Sequence, residues 1–323
     1  MIRYEASHES MGTEFALVAY GNDDRHLVAV GDEVFEEIDR LDTQMSNYKP
    51  KSEISVINRI AAFRQLHVEP RLFQLLVDAI RHSQSTDGAF DVTTGALTKA
   101  WGFSRGEGRV PASSEIAQVL RRVGYQHMHL NPTDRAIYFD VEGLDLDLGG
   151  IAKGYAVDRA VDILCSYGVT QALVSNGTSS LYALGAPPGA RGWSITLRDP
   201  YDPERAADVL CLRNYSLSTS GNYEKFFVLG GKVYAHILNP ITGVPVENML
   251  AATVLAPCAT DADALSTAFY VSGVARSRKY LTDHQNLMAI FYLPGSMERS
   301  FRRVVLRSVY SSVGYDVLAE FPG

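Results

Sequence analysis

The chain has 323 residues, 46% of them apolar and 21% charged, the balance of a globular protein able to bury a sizeable core. A net charge of −7 without a run of five or six like charges argues against a nucleic-acid surface, and no stretch reaches the ~18 consecutive apolar residues of a membrane-spanning helix. Three scattered cysteines, Cys165, Cys211 and Cys258, have no CxxC or CxxH spacing, which argues against a zinc site and a disulfide framework.

The N-terminus carries no basic region followed by an apolar core, so the sequence as it stands reads as cytoplasmic; a protein stripped of an export signal or lipid anchor would read the same. Glu14 to Tyr20 reads as a strand, and Asn22-Asp23-Asp24 as the break after it. Leu27, Val30, Val34, Ile38 and Leu41 then recur three or four apart, the stripe of a helix with one buried face. Pro70 and Gly88 bound a second helix, marked by Leu72, Leu76 and Ile80.

From residue 126 the period changes. Met128 to Leu130 and Ala136 to Phe139 flank Asn131-Pro132-Thr133-Asp134, which predicts a hairpin. Leu144, Leu146 and Leu148 alternate with Asp145 and Asp147, which predicts a strand with one buried face. It runs into Gly149-Gly150 and a helical pattern from about Ala152 to Tyr167 that closes at Gly168. Strand-like runs follow at 172–174, 181–184, 193–197 and 252–255, helices at 261–271 and 275–284, and strands at 287–292 and 301–307. The mixture is α+β, with no linker that would divide the chain, so one domain over 1–323 is expected.

Gly149 to Gly154 has the small residues of a phosphate loop, yet it matches neither GK[ST] nor GxGxxG, and a tight strand-to-helix turn accounts for it equally well. Asp263 and Thr267 lie one helical turn apart and offer hard oxygens suited to Mg²⁺. Taken alone, they fit a helix cap built by Asp261 or Asp263 better. His236, between a strand pattern and the turn Asn239-Pro240-Ile241-Thr242-Gly243, is either a general base or a structural histidine at a strand end. His127 and His129 lack a third ligand nearby and read as surface residues. Tyr48 and Phe90 would suit a flat ring, although aromatic residues are more often core.

The ordered set of motifs resembles the FAD:protein FMN transferases, the ApbE family of flavin transferases. The matching pieces are Met11-Gly12-Thr13, Tyr48 to Asn58, Thr86 to Asp91, Asp147 to Asp158, Ser220 to Tyr223, His236 to Gly243 and Ala262 to Ala268, over about residues 11–273. The resemblance implies a single T-fold-related transferase domain with mixed sheets and flanking helices. Its implied activity takes FAD as substrate and moves FMN onto a threonine of a target flavoprotein, releasing AMP, with Mg²⁺, or Mn²⁺ in its place.

The same resemblance implies residue roles. The side chains of Asp263 and Thr267 and the backbone carbonyl of Ala152 would hold the metal. Met11, Tyr48, Ala89, Phe90 and Asp91 would lie at the flavin, Asp147, Lys153 and Tyr155 at the diphosphate, and Ile237 would also be a cofactor-binding residue. His236 matches the catalytic histidine, with Asp263 as its catalytic companion. Two positions depart from the pattern: Asn176 to Ser180 stands where many relatives carry a Gly-Gly-Asp or Gly-Gly-Asn turn, and Asn222 where many carry Asp. Each loses a carboxylate, and neither Ser180 nor Asn222 is expected to be catalytic. The same metal site would also serve a pyrophosphatase that splits FAD into FMN and AMP, and the loop and aromatics alone would serve a non-catalytic FAD-binding protein.

Overall fold

A computed structural model describes residues 1–308 apart from Arg105, Thr178 and Glu224. The last fifteen residues of the expected domain, and Thr178 of the departing turn, thus lie outside the described residues. In chain order come strands β1 (Ile2–Ser10) and β2 (Thr13–Gly21), helices α1 (Asp24–Met45) and α2 (Glu53–Ile60), and the short β3 (Leu66–His67). Helices α3 (Pro70–Ser85), α4 (Gly95–Ala100) and α5 (Ser113–Leu120) precede the hairpin β4 (Met128–Asn131) and β5 (Ala136–Phe139). Helix α6 (Ala152–Ser166) follows, then β6 (Ala172–Asn176), β7 (Ser180–Leu184), β8 (Trp193–Asp199), β9 (Asp202–Leu212) and β10 (Tyr215–Gly221). The chain continues through β11 (Phe226–Leu229), β12 (Lys232–Ala235), β13 (Ala251–Ala256), α7 (Ala259–Asp283), β14 (Met288–Pro294) and β15 (Phe301–Arg307).

Eight strands form one sheet in the order β1-β2-β6-β7-β10-β13-β14-β15, with every pairing antiparallel. Helices α1, α6 and α7 cover one face and enclose the largest core; the ribbon β8-β9 covers the other with Trp193, Ile195, Leu210 and Leu212. Because both faces are covered, β13 is buried at every position and reads as a continuous apolar run. The predicted stripe of α1 is the buried one: Leu27, Val30, Val34, Ile38 and Leu41 all face the core. Burial of each such side chain contributes roughly 1.5–3 kcal/mol.

One expectation is corrected. Residues 144–148 do not form a strand of a sheet; among the described residues their only ladder contact is an isolated parallel bridge between Thr94 and Asp145. The leucines are buried as the alternation required; on one edge the segment bonds residues 92–95, from the Asp147 amide to the Val92 carbonyl at 2.7 Å and from the Gly95 amide to the Asp145 carbonyl at 3.0 Å, while on the other a side chain takes a strand's place. Asn58 Oδ1 accepts from the Leu146 amide at 2.8 Å, and its Nδ2 donates to the Leu146 carbonyl at 3.0 Å and to Asp145 at 2.7 Å. A side-chain amide thereby mimics a strand's backbone and holds the segment that leads into Gly149-Gly150.

The two predicted C-terminal helices are the halves of α7, kinked at Gly273, whose φ of 72° lies outside the helical region. Helices α6 and α7 meet at Gly154: a Cβ there would stand 2.2 Å from the carbonyl oxygen of Ala259. Only glycine permits that approach, which brings the start of α6 against Asp263.

Candidate active site

A cavity of about 540 Å³ opens at the end of the central sheet, among the N-terminus of α6, the C-terminal end of α1, the first half of α7 and the loop after β12. Met11, Tyr48, Ala89, Phe90, Asp91, Asp147, Ala152, Lys153, His236, Ile237, Asp263 and Thr267 all line it. Residues more than 250 positions apart in sequence thus share one wall. Tyr155 does not: it packs half-buried against the main core, among Arg159, Arg71, Glu69 and Glu37.

The carboxylate of Asp263 is almost fully buried. Its Oδ2 accepts from the amide of Gly154 at 2.8 Å, and its Oδ1 from Ser218 Oγ at 3.3 Å. Burial pushes its pKa up, and Lys153 with the hydrogen bonds from Gly154, Ser218 and Ser180 opposes that without cancelling it. Thr267, one turn on, contacts Ser220 Oγ at 3.2 Å. Ser180, Ser218, Ser266 and Ser220 then link the two positions, with Ser180 2.9 Å from Ser218 and Ser220 2.9 Å from Ser266. A buried carboxylate whose charge is incompletely offset, beside a hydroxyl on a cavity wall, is a donor set that fits a hard divalent cation.

Neither Asp261 nor Asp263 caps its own helix. The first amides of α7 are taken by Asp158 from α6, at 2.7 Å to Ala259 and 2.8 Å to Thr260. Asp261 instead accepts from His82 Nε2 at 2.8 Å and Arg81 at 3.0 Å, a charge-assisted pair that holds its carboxyl well below the usual range despite its burial. Asp263 meets the third residue of α6. Each helix therefore supplies a carboxylate to the other's N-terminal amides, which locks their register and leaves one edge of Asp263 to the cavity.

His236 follows β12, and its backbone amide and Nδ1 lie 3.0 Å from the same acceptor, the carbonyl of Lys225. A carbonyl only accepts, so Nδ1 carries the proton and the lone pair is on Nε2. Burial lowers the pKa to about 4, assisted by the charges of Lys153 and Lys225, so the ring is neutral at physiological pH. Its tautomer and charge are those of a base.

Phe90 is buried beneath Gly150, while Tyr48 is 61% exposed at the rim, so the two aromatics bracket the cavity from below and from its mouth. Met11 occupies the first position of a two-residue turn between β1 and β2 with φ 52°, a left-handed conformation costly for a side chain of this kind and typical of positions held by their surroundings. The carboxylate of Asp91 is spent internally: it accepts from the amides of Thr93 and Tyr125 at 2.8 Å and from Thr93 Oγ1 at 2.7 Å. Asp147 accepts from the Gly149 amide at 2.9 Å and sets the glycine turn. Lys153 Nζ reaches toward the Gly149 carbonyl at 3.4 Å. His127 and His129 share Asp140, at 2.7 and 2.8 Å, and no group of three or more His, Cys, Asp or Glu side chains suited to a metal occurs among the described residues.

Lys225 and Ser218 fall outside the motifs, and Asp158 falls inside one without its capping role being visible there. The period-2 repeat Ser216, Ser218, Ser220 in β10 was the available signal for the first shell of support around Asp263. Lys225 carried none, and Asp158 was marked only as the end of the Asp147 to Asp158 motif.

Residues 11–291 match the ApbE family profile. The chain belongs to the ApbE family. It is 30% identical over 291 residues to the FAD:protein FMN transferase of Treponema pallidum, covering 85% of this chain and 80% of that one, and 31% identical over 290 residues to that of Klebsiella pneumoniae, covering 89% and 88%. Among solved structures, the ApbE protein of Thermotoga maritima superposes with a TM-score of 0.86 at 30% identity, over 95% of this chain and 97% of that one. The apo flavinyl transferase ApbE of Pseudomonas stutzeri gives 0.84 at 29%, over 95% of each.

Proposed function

We propose that this chain transfers the FMN half of FAD to a threonine hydroxyl of a second protein and releases AMP, with Mg²⁺ or Mn²⁺ at Asp263, Thr267 and the Ala152 carbonyl. The observation that carries the reading is the presence, in one cavity, of a buried incompletely compensated carboxylate beside a hydroxyl, a lysine at a helix start, and a neutral histidine with its lone pair on Nε2. The names of the relatives supply the substrate and the direction of transfer.

The step balances without a further reactant. The threonine oxygen forms a bond to the phosphorus of the FMN half while the bond from that phosphorus to the bridging oxygen breaks, and AMP departs with the bridging oxygen and its electron pair. The threonine proton passes to Nε2 of His236, whose Nδ1–H stays on the Lys225 carbonyl. Lys153, at the N-terminus of α6, offsets charge on the diphosphate together with the helix dipole. Asp263, Thr267 and the Ala152 carbonyl would hold a divalent cation, which would supply further charge neutralisation to the diphosphate. Tyr48 and Phe90 supply apolar surface for a flavin ring. Among the described residues no helix is long and apolar enough to cross a membrane.

Incubation with FAD, Mg²⁺ and a flavoprotein domain that a family member modifies is expected to give a target band that stays fluorescent on a denaturing gel. Chelator should abolish it. FAD that binds but leaves the band dark, with AMP released, would assign the chain to hydrolysis instead.

A further inference from the structure

Strands β11 and β12 form a two-stranded ribbon with an in-register turn at Gly230-Gly231, both at positive φ. Its inner face is packed: Phe227 and Tyr234 stack on each other with ring centroids 5.0 Å apart and meet Phe103 and Trp101 at 5.4 and 5.8 Å. Side chains alternate along a strand and cross-strand partners share a face, so Phe226, Val228 and Val233 project from the opposite side. That side is bare. Phe226 is 53% exposed, Val228 58% and Val233 53%, with Leu229 54% exposed at the tip.

The ribbon is rooted in the cavity. Lys225 immediately precedes it, His236 immediately follows it, both line the cavity, and the Lys225 carbonyl fixes the histidine's tautomer. An acceptor hydroxyl must come within hydrogen-bond reach of Nε2, so the surface that carries it must lie over this rim.

We infer that the bare face of the β11-β12 ribbon is the docking surface for the acceptor protein, which lays an apolar segment next to its threonine across Phe226, Val228 and Val233. The inference rests on the reading that the second substrate is a protein. The face carries no charge, so its partner is apolar there. Its extent, on the order of 300 Å² for half-exposed side chains of this size, is the scale of a functional patch and well short of the roughly 800 Å² per partner that a stable complex buries. That disfavours a second copy of this chain and suits a substrate that must leave after modification.

The test places a photo-cross-linking amino acid at Val228 of the full chain in its own cells, with Val28 on α1 as the control position, and follows FMN-bearing proteins by fluorescence after denaturation. The expected adduct carries covalent FMN and forms from position 228 and not from 28. Adducts that consist of the chain with itself, of lipid, or of proteins without FMN would overturn the inference. Cells in which this chain generates no FMN-bearing protein would sink the functional reading, and the docking surface with it. With purified components, the double variant Val228→Lys/Val233→Lys should raise the KM for the acceptor about tenfold or more, the loss typical of an interface anchor, with kcat and FAD affinity retained. An unchanged KM contradicts the inference.

Discussion

Asp263 and Thr267 stand on a helix packed into the largest core, with their oxygens held by serines of the central sheet, whereas His236 hangs at the foot of a two-stranded ribbon with one bare face. The first wall is rigid because every group in it is crossed by a second element: α6 caps onto α7, β10 supports Asp263 and Thr267, and Gly154 allows the close approach. In the second wall the imidazole of His236 is held by one carbonyl, that of Lys225, and the ribbon before it by an aromatic stack on one face. A diphosphate and its cation benefit from preorganised charge, while a protein acceptor needs an approachable edge. Under the proposed function, charge handling would fall to the buried wall and acceptor selection to the open one.

Substitutions at four positions would break or sharpen that contrast. Asp263→Ala should abolish transfer and the binding of Mn²⁺ measured by electron paramagnetic resonance, with a rate loss at least as large as that of His236→Ala; retained Mn²⁺ binding would remove Asp263 from the metal site. His236→Ala should lower kcat by roughly 10²–10⁴-fold while a fluorescence titration of FAD remains near wild type. The pH profile sharpens this: His236 is protonated only below its lowered pKa of about 4, so the acid limb of kcat/KM attributable to it should centre near that value and not near 6.5. Ser218→Ala should weaken cation binding by about 10–100-fold, as loss of a ligand's supporting contact commonly does, and Ser218→Thr should restore part of it. Asp158→Ala should leave the chemistry in place and lower stability by about 1–2 kcal/mol, read as a lower urea midpoint, since two end amides of α7 lose their acceptor.

The same contrast governs what could be read before the fold was known. The stripe of α1, the hairpin β4-β5, the helix from Ala152 and the strands of the central sheet were legible because periodicity and turn residues are local. The cavity members were legible only as a set, since Asp263 and Thr267 by themselves fit a cap. What stayed hidden acts across long separations. Asn58 stands in for a strand 88 residues away, and Asp158 caps a helix about a hundred residues on. The alternation at 144–148 reported burial correctly and pairing wrongly, because a buried face does not specify whether a backbone or a side-chain amide satisfies the peptide groups. Tyr155 sits in the loop's sequence but outside the cavity: three positions past Ala152 it shares that residue's side of α6, and the rise of almost a turn along the axis sets it against the core beyond the cavity.

Intact-mass analysis of an acceptor flavoprotein incubated with FAD and this chain, with and without chelator, bears most directly on the account. The expected result is a gain of one FMN less one water per acceptor in the presence of Mg²⁺, and no gain with chelator or with Asp263→Ala. An acceptor of unchanged mass while FAD is converted to free FMN and AMP, or a mass gain indifferent to both chelator and Asp263→Ala, would contradict it.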